Sequence, residues 1–135
     1  MRLVVDTNRI IAAFIKDGIS RHILYHFPAE FIMIPTLGKE VAKYRKEICQ
    51  KAKLSEENFE KLWQTFQEKM TLLDDTTIES AMSEAKMIMD IIDKGDTPFL
   101  AAAIASTCDI WSDDPHLHKQ QRVKAYTTKE LLHYL

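Results

Sequence analysis

Short, continuously apolar runs punctuate the chain, and each is followed by a stretch whose apolar residues recur at helical spacing. Leu3-Val4-Val5 is the first run; it stops at Asp6, after which Ile10, Ile11, Phe14 and Ile15 mark one face of a helix. Branched apolar residues without alternation predict a strand buried on both faces. Asp17-Gly18 is a stop signal, and Ser20 is placed to cap a short second helix through Tyr25. Residues 31–35 predict the second buried strand. Thr36 then reads as an N-cap, with Leu37, Val41, Tyr44 and Ile48 on one helical face and Glu40 at its border.

The alternation continues. Ser55-Glu56-Glu57 opens a helix with Phe59, Leu62, Trp63, Phe66 and Met70 as its apolar stripe. Leu72 and Leu73 predict a short third strand. Thr76 with Glu79 fits a capping box ahead of Ile78, Ala81, Met82, Ala85, Met89 and Ile92. Lys94-Gly95 breaks that helix, and Asp96-Thr97-Pro98 starts another, with an acid at the N-cap and proline where its missing N–H costs nothing. Residues 99–105 are apolar on every side and predict the most buried helix, its alanines allowing close approach to a sheet. Residues 109–112 predict a fourth strand ending in Asp113-Asp114, residues 123–126 a fifth, and Thr127 with Glu130 caps the last helix. Apolar strands alternating with helices predict an α/β fold, a parallel sheet covered on both sides, with residues 1–135 as one domain.

The bulk numbers narrow the classes. A length of 135 residues allows one proper core, and 46% hydrophobic with 28% charged residues is ordinary for a folded soluble protein. A net charge of −2 gives no global pull towards nucleic acid, so a polyanion would need a local patch or metal ions. Two cysteines, Cys49 and Cys108, are too few for a disulfide scaffold. Asp6 interrupts the N-terminal apolar run too early for a signal peptide, and no apolar run approaches a membrane span. A cytoplasmic protein with no membrane partner is expected.

Four carboxylates occupy equivalent places: Asp6 ends strand one, Glu40 follows strand two, Asp96 opens the buried helix and Asp114 follows strand four. In open parallel sheets ligands bind beyond the carboxyl ends of the strands, at the point where strand order reverses. Two like charges ~4 Å apart repel by roughly 4 kcal/mol at an effective dielectric near 20. No single lysine or arginine accompanies all four acids, so a divalent, oxygen-seeking ion, Mg²⁺ or Mn²⁺, is the economical answer. Such a site supports phosphodiester cleavage.

These residues carry a resemblance. Val4-Val5-Asp6-Thr7-Asn8, Glu40 early in the helix after strand two, Asp96-Thr97-Pro98-Phe99-Leu100-Ala101 and Trp111-Ser112-Asp113-Asp114 resemble the four acidic motifs of the PIN domain, over essentially the whole chain. The resemblance implies a three-layer α/β/α fold with a five-stranded parallel sheet in order 3-2-1-4-5. It also implies a metal-dependent ribonuclease, in many prokaryotic members the toxin of a toxin–antitoxin pair. Asp6, Glu40, Asp96 and Asp114 match the catalytic acids, with Asp6, Asp96 and Asp114 on the metal and Asn8 and Ser112 in support. Asp113 replaces the usual Asn of the fourth motif, which leaves open whether Asp113 or Asp114 faces the ion.

Each signal has a plainer meaning. Asp6 and Asp96 could simply cap the helices they precede. Glu40 could be a solvated helix acid, as could Glu47 on a similar face, and Asp93 is expected to be exposed, touching the metal at most through water. His116 and His118 beside the last acids invite zinc, but with no cysteine near in sequence they are expected at the surface or one layer out from a metal. His22 and His26 lack the helix glutamate of a zinc motif and are expected at the surface or in packing. Lys39, Lys43, Arg45, Lys46, Lys51 and Lys53 are either a solvated face or a rim that tracks phosphates. Trp63 and Phe66 are expected in the core, although their helix pair also offers a homodimer surface. Two competitors to the ribonuclease remain. One is a phosphatase using an aspartyl-phosphate on Asp6, which wants a second acid where Asn8 stands; the other is a silent PIN-like scaffold that binds RNA or a partner protein.

Overall fold

The computed structural model describes residues 1–15 and 18–135. Five parallel strands, β1 (Arg2–Val5), β2 (Glu30–Met33), β3 (Met70–Leu72), β4 (Asp109–Trp111) and β5 (Ala125–Tyr126), form one sheet in the order β3-β2-β1-β4-β5. The three-layer α/β/α arrangement and the strand order are those that the sequence resemblance implies. Leu3, Val4 and Val5 are fully buried because β1 is central, pairing with β2 on one side and β4 on the other, with Val5 opposite Trp111.

Helices α1 (Thr7–Ile15), α2 (Ile19–His26), α3 (Pro35–Lys43) and α4 (Arg45–Ala52) pack together, α1 touching the other three. Helix α5 (Glu56–Glu68) leads into β3. Helices α6 (Asp75–Glu79), α7 (Met82–Met89) and α8 (Thr97–Ser106) form a second group, with α8 against β1 and β4, and α9 (Thr128–His133) closes the chain against α2. As predicted, α8 is the most buried helix, with Thr97 and Phe99 through Ala103 all buried. Phe66 is fully buried and stacks edge-on to Phe14, which is why it belongs to the core, while Trp63 packs on Phe14 from a half-buried position.

Several local expectations are corrected. Ser20 lies inside α2, and the residue before that helix is Gly18, whose left-handed φ of 96° suits glycine; Asp17 falls outside the described residues. Thr36 is not a cap, because Pro35 already occupies the first helical position after Ile34. The stripe from Leu37 to Ile48 continues across a break at Tyr44, so two helices share one apolar face. The stripe from Ile78 to Met89 is broken likewise, between Glu79 and Met82. Its capping residue is Asp74, accepting from the Thr77 N–H at 2.7 Å, rather than Thr76. Met70 belongs to β3, and β4 and β5 are shorter than predicted.

Two predicted caps are present. Ser55 accepts from Asn58 N at 3.1 Å, and Thr127 forms a full capping box with Glu130. The Thr127 box fixes the start of α9, where Thr128 Oγ1 also accepts from Trp111 Nε1 at 3.1 Å. Replacing Thr127 with alanine is therefore expected to cost about 1 kcal/mol. Equilibrium urea unfolding checks this, and an unchanged midpoint would remove the cap from the account of the fold.

Candidate metal centre

The strand order runs outward from β1 in both directions, so the crevice at the carboxyl ends opens between β1 and β4. Asp6 follows β1 directly, and its backbone N–H donates to the Trp111 carbonyl at 3.0 Å, which sets it level with Ser112. The buried Ser112 hydroxyl donates to Asp6 Oδ2 at 2.6 Å and accepts from the Asp114 N–H at 2.9 Å. One hydroxyl thus ties the end of β1 to the turn after β4.

Asp6 is only 4% exposed, and burial holds its carboxyl above the ordinary range; the Ser112 hydrogen bond opposes that rise and the charge of Asp114 adds to it. Glu40 enters from α3 and accepts from Thr7 Oγ1 at 3.2 Å. Its carboxyl is also raised, by burial first and by Asp6 among its neighbours.

Asp96 ends a short 3-10 turn, Lys94–Asp96, and opens α8. Its predicted capping role is not seen: the side chain caps nothing, and Oδ2 is buried without a hydrogen-bond partner. Burial pushes this carboxyl up to about 8, with Asp114, Asp6 and Asp93 adding to the rise. Asp114 Oδ1 accepts the His116 N–H at 2.9 Å. His116 Nδ1 lies 3.1 Å from Asp114 Oδ1 and 3.1 Å from Asp93 Oδ2, yet makes no well-formed hydrogen bond to either. Donor atoms of Asp93, Asp96, Asp114 and His116 all fall within 4.8 Å of one another. Asp6 adjoins this group through Ser112, and Glu40 adjoins Asp6.

Asp113 is turned to another task. Its Oδ2 pairs with Arg9 Nη1 at 2.7 Å and its Oδ1 accepts from Thr128 N at 2.6 Å, so Asp114 is the member of the pair in the acidic group. Asn8 is exposed on α1, its backbone helping to hold Asp6 ionised, beside an open groove of about 390 Å³ shared with Glu40, Tyr44, Glu47 and Lys51. The basic segment spans α3 and α4 rather than one helix, and part of it is spoken for: Arg45 pairs with Glu56 and Glu60, Lys51 with Glu47. His118 Nε2 contacts the Ser112 carbonyl at 2.7 Å, while His22 and His26 pack ring to ring on α2.

Sequence reasoning left Asp93 and His116 at the edge of the site and did not single out Arg9. A histidine two residues beyond the last acid was the available signal for His116; Arg9 gave none, since its role depends on α1 facing α9. The set fits a divalent cation. Three carboxylates and an imidazole converge with Asp6 alongside, a buried oxygen lacks any partner, and Arg9, which eases the charge on Asp6, is itself paired with Asp113.

A PIN-domain family model matches residues 4–135. The chain belongs to the PIN-domain family. Among solved structures, this PIN domain is similar to VapBC2 from Rickettsia felis bound to a DNA fragment from their promoter, at a TM-score of 0.72 and 15% identity, covering 94% of this chain and 98% of that one. At that identity the likeness is one of fold. No curated protein sequence matches the chain.

Proposed function

We propose that this PIN-domain protein is a metal-dependent endoribonuclease and the toxin of a toxin–antitoxin pair, working in the cytoplasm as a single domain over residues 1–135. The observation that carries the proposal is the unpartnered, buried Asp96 Oδ2 within a converging group of acids. Asp6, Asp96 and Asp114 would hold Mg²⁺ or Mn²⁺, with Asp93 at their side. When bound, such an ion supplies charge that makes water a better nucleophile and the departing oxygen a better leaving group. Glu40, oriented by Thr7 and held above the ordinary carboxylate range, is suited to position the attacking water and accept its proton. Ser112 keeps Asp6 and Asp114 in register, and Asn8 with the groove beside it offers the RNA backbone a path past the acids.

The likeness to VapBC2, bound there to a fragment of its own promoter, supports an antitoxin partner. No helix among the described residues is long and apolar enough to cross a membrane. The half-buried Trp63 side of α5 is the face on which two copies would pair.

Purified protein is expected to cut single-stranded or structured RNA with millimolar Mg²⁺ or Mn²⁺ and to stop when EDTA removes the ion, an Asp6→Asn preparation serving as the contamination control. Cutting that persists in EDTA at an undiminished rate would sink the metal-dependent mechanism. Neither cutting nor a metal-induced rise in Tm would leave the PIN-like scaffold as the better description.

A further inference from the structure

We infer that His116 is itself a ligand of the ion held in the acidic hollow, and that its imidazole makes the site prefer Mn²⁺ to Mg²⁺. This rests on the metal-binding function proposed above and adds to it a nitrogen donor and a choice of ion.

Two polar atoms in this hollow are buried and unsatisfied, Asp96 Oδ2 and His116 Nδ1. Buried polar atoms are nearly always hydrogen-bonded, so two exceptions within one cluster point to a missing common partner. Asp96 is 7% exposed, which leaves its free oxygen little recourse to water. The spacing agrees. An octahedral ion with ligands at about 2.1 Å brings neighbouring donors to about 3 Å from one another. His116 Nδ1 stands 3.1 Å from an oxygen of Asp93 and 3.1 Å from an oxygen of Asp114, contacts with the right length for shared coordination but not aligned as hydrogen bonds.

The turn that carries the ring is fixed through its backbone. His116 N–H is fixed on Asp114 Oδ1 at 2.9 Å, and the turn is continued by His118 N–H on the Pro115 carbonyl at 3.2 Å. Asp93 is held on the other side, its Oδ1 accepting from the Gly95 N–H at 2.9 Å while Oδ2 faces His116. His118 provides the contrast, because its Nε2 is held by the Ser112 carbonyl and its ring lies outside the cluster of donor atoms. Mg²⁺ favours oxygen ligands almost exclusively, whereas imidazole suits transition-metal ions, so a set of three carboxylates and one imidazole tilts the choice to Mn²⁺.

Pulsed EPR on the Mn²⁺-loaded protein tests the assignment without reference to activity. A ¹⁴N coupling from a directly bound imidazole is expected in the unmodified chain, retained in His118→Gln and lost in His116→Gln. In melting titrations His116→Gln should weaken the apparent Mn²⁺ affinity roughly ten-fold or more while Mg²⁺ affinity stays within about three-fold. Bound Mn²⁺ with no nitrogen coupling, or a His116→Gln protein with unchanged preference, would overturn the role of His116 and leave the acid site standing. Failure of the unmodified protein to take up Mn²⁺ at all would overturn both.

Discussion

Replacing Asp96 with asparagine is expected to make the metal-free protein more stable and to abolish its metal-supported cleavage of RNA. The two effects have one origin. Asp96 Oδ2 is buried without a partner, and burial together with Asp114 raises its carboxyl to about 8. Near neutral pH the unfolded chain carries this group ionised, so folding must either protonate it or desolvate a charge beside other acids. Asparagine keeps the shape and removes that cost, and a gain of about 1–2 kcal/mol is expected after allowing for solvent screening of the part-exposed neighbours Asp93 and Asp114. With metal the sign reverses. Losing a carboxylate aimed at the ion should lower metal affinity and cleavage by roughly 100-fold or more. Thermal melting in EDTA and in Mn²⁺, alongside single-turnover cleavage, reads both effects. A variant that melts below the parent protein in EDTA, or cuts RNA at the parental rate, contradicts this account of Asp96.

How much of this could be read beforehand follows from which forces act locally. Leu3-Val4-Val5 announced a central strand because burial on both faces leaves no polar alternation, and residues 99–105 announced a buried helix for the same reason. The breaks at Tyr44 and between Glu79 and Met82 were not legible, since an apolar stripe continues through a break when both helices lie on the same surface. Caps were legible at Ser55, which stands alone, and at Thr127, which of its threonine pair is the one with a glutamate three residues on. They were not where neighbours compete, as Asp74 does with Thr76, or where proline starts the helix first, as Pro35 does.

The site divides along the same line. Asp6, Asp96 and Asp114 converge because strand ends and a helix start are positions a sequence pattern can locate. The difference between Asp113 and Asp114 is made by Arg9 and the backbone of Thr128, which claim Asp113 from parts of the chain far away in sequence. His116 and Asp93 meet only because two turns face each other, and turn conformation at that level leaves no periodic trace.

The stability of the metal-free protein is expected to fall as pH rises from about 5.5 to 8.5, while the Mn²⁺-loaded protein holds or gains. Asp6, Glu40 and Asp96 all have carboxyls raised in the folded state, by burial first in each case. Over the interval between the unfolded and folded values the native chain binds more protons than the unfolded one, so stability declines with pH. Their contribution is complete below about 4 and is lost as pH climbs through the folded values, for Asp96 about 8. Asp74 and Glu130 act oppositely. Backbone hydrogen bonds lower their carboxyls, so what they contribute is present above the ordinary carboxylate range and lost in acid. Arg9 moderates the rise at Asp6 and Lys43 that at Glu40, without reversing either. An ion binds only the deprotonated acids, so its stabilising effect grows over the range in which the empty site weakens. At one hundred times its dissociation constant it contributes about 2.7 kcal/mol, a rise in Tm of roughly 8–10 °C for a chain of this size. Melting curves at four pH values with EDTA and with Mn²⁺ should therefore diverge towards alkaline pH, and Asp96→Asn should remove most of the slope in EDTA. Parallel curves, or a metal-free Tm that climbs from pH 5.5 to 8.5, would show that these carboxylates do not share one desolvated hollow in solution.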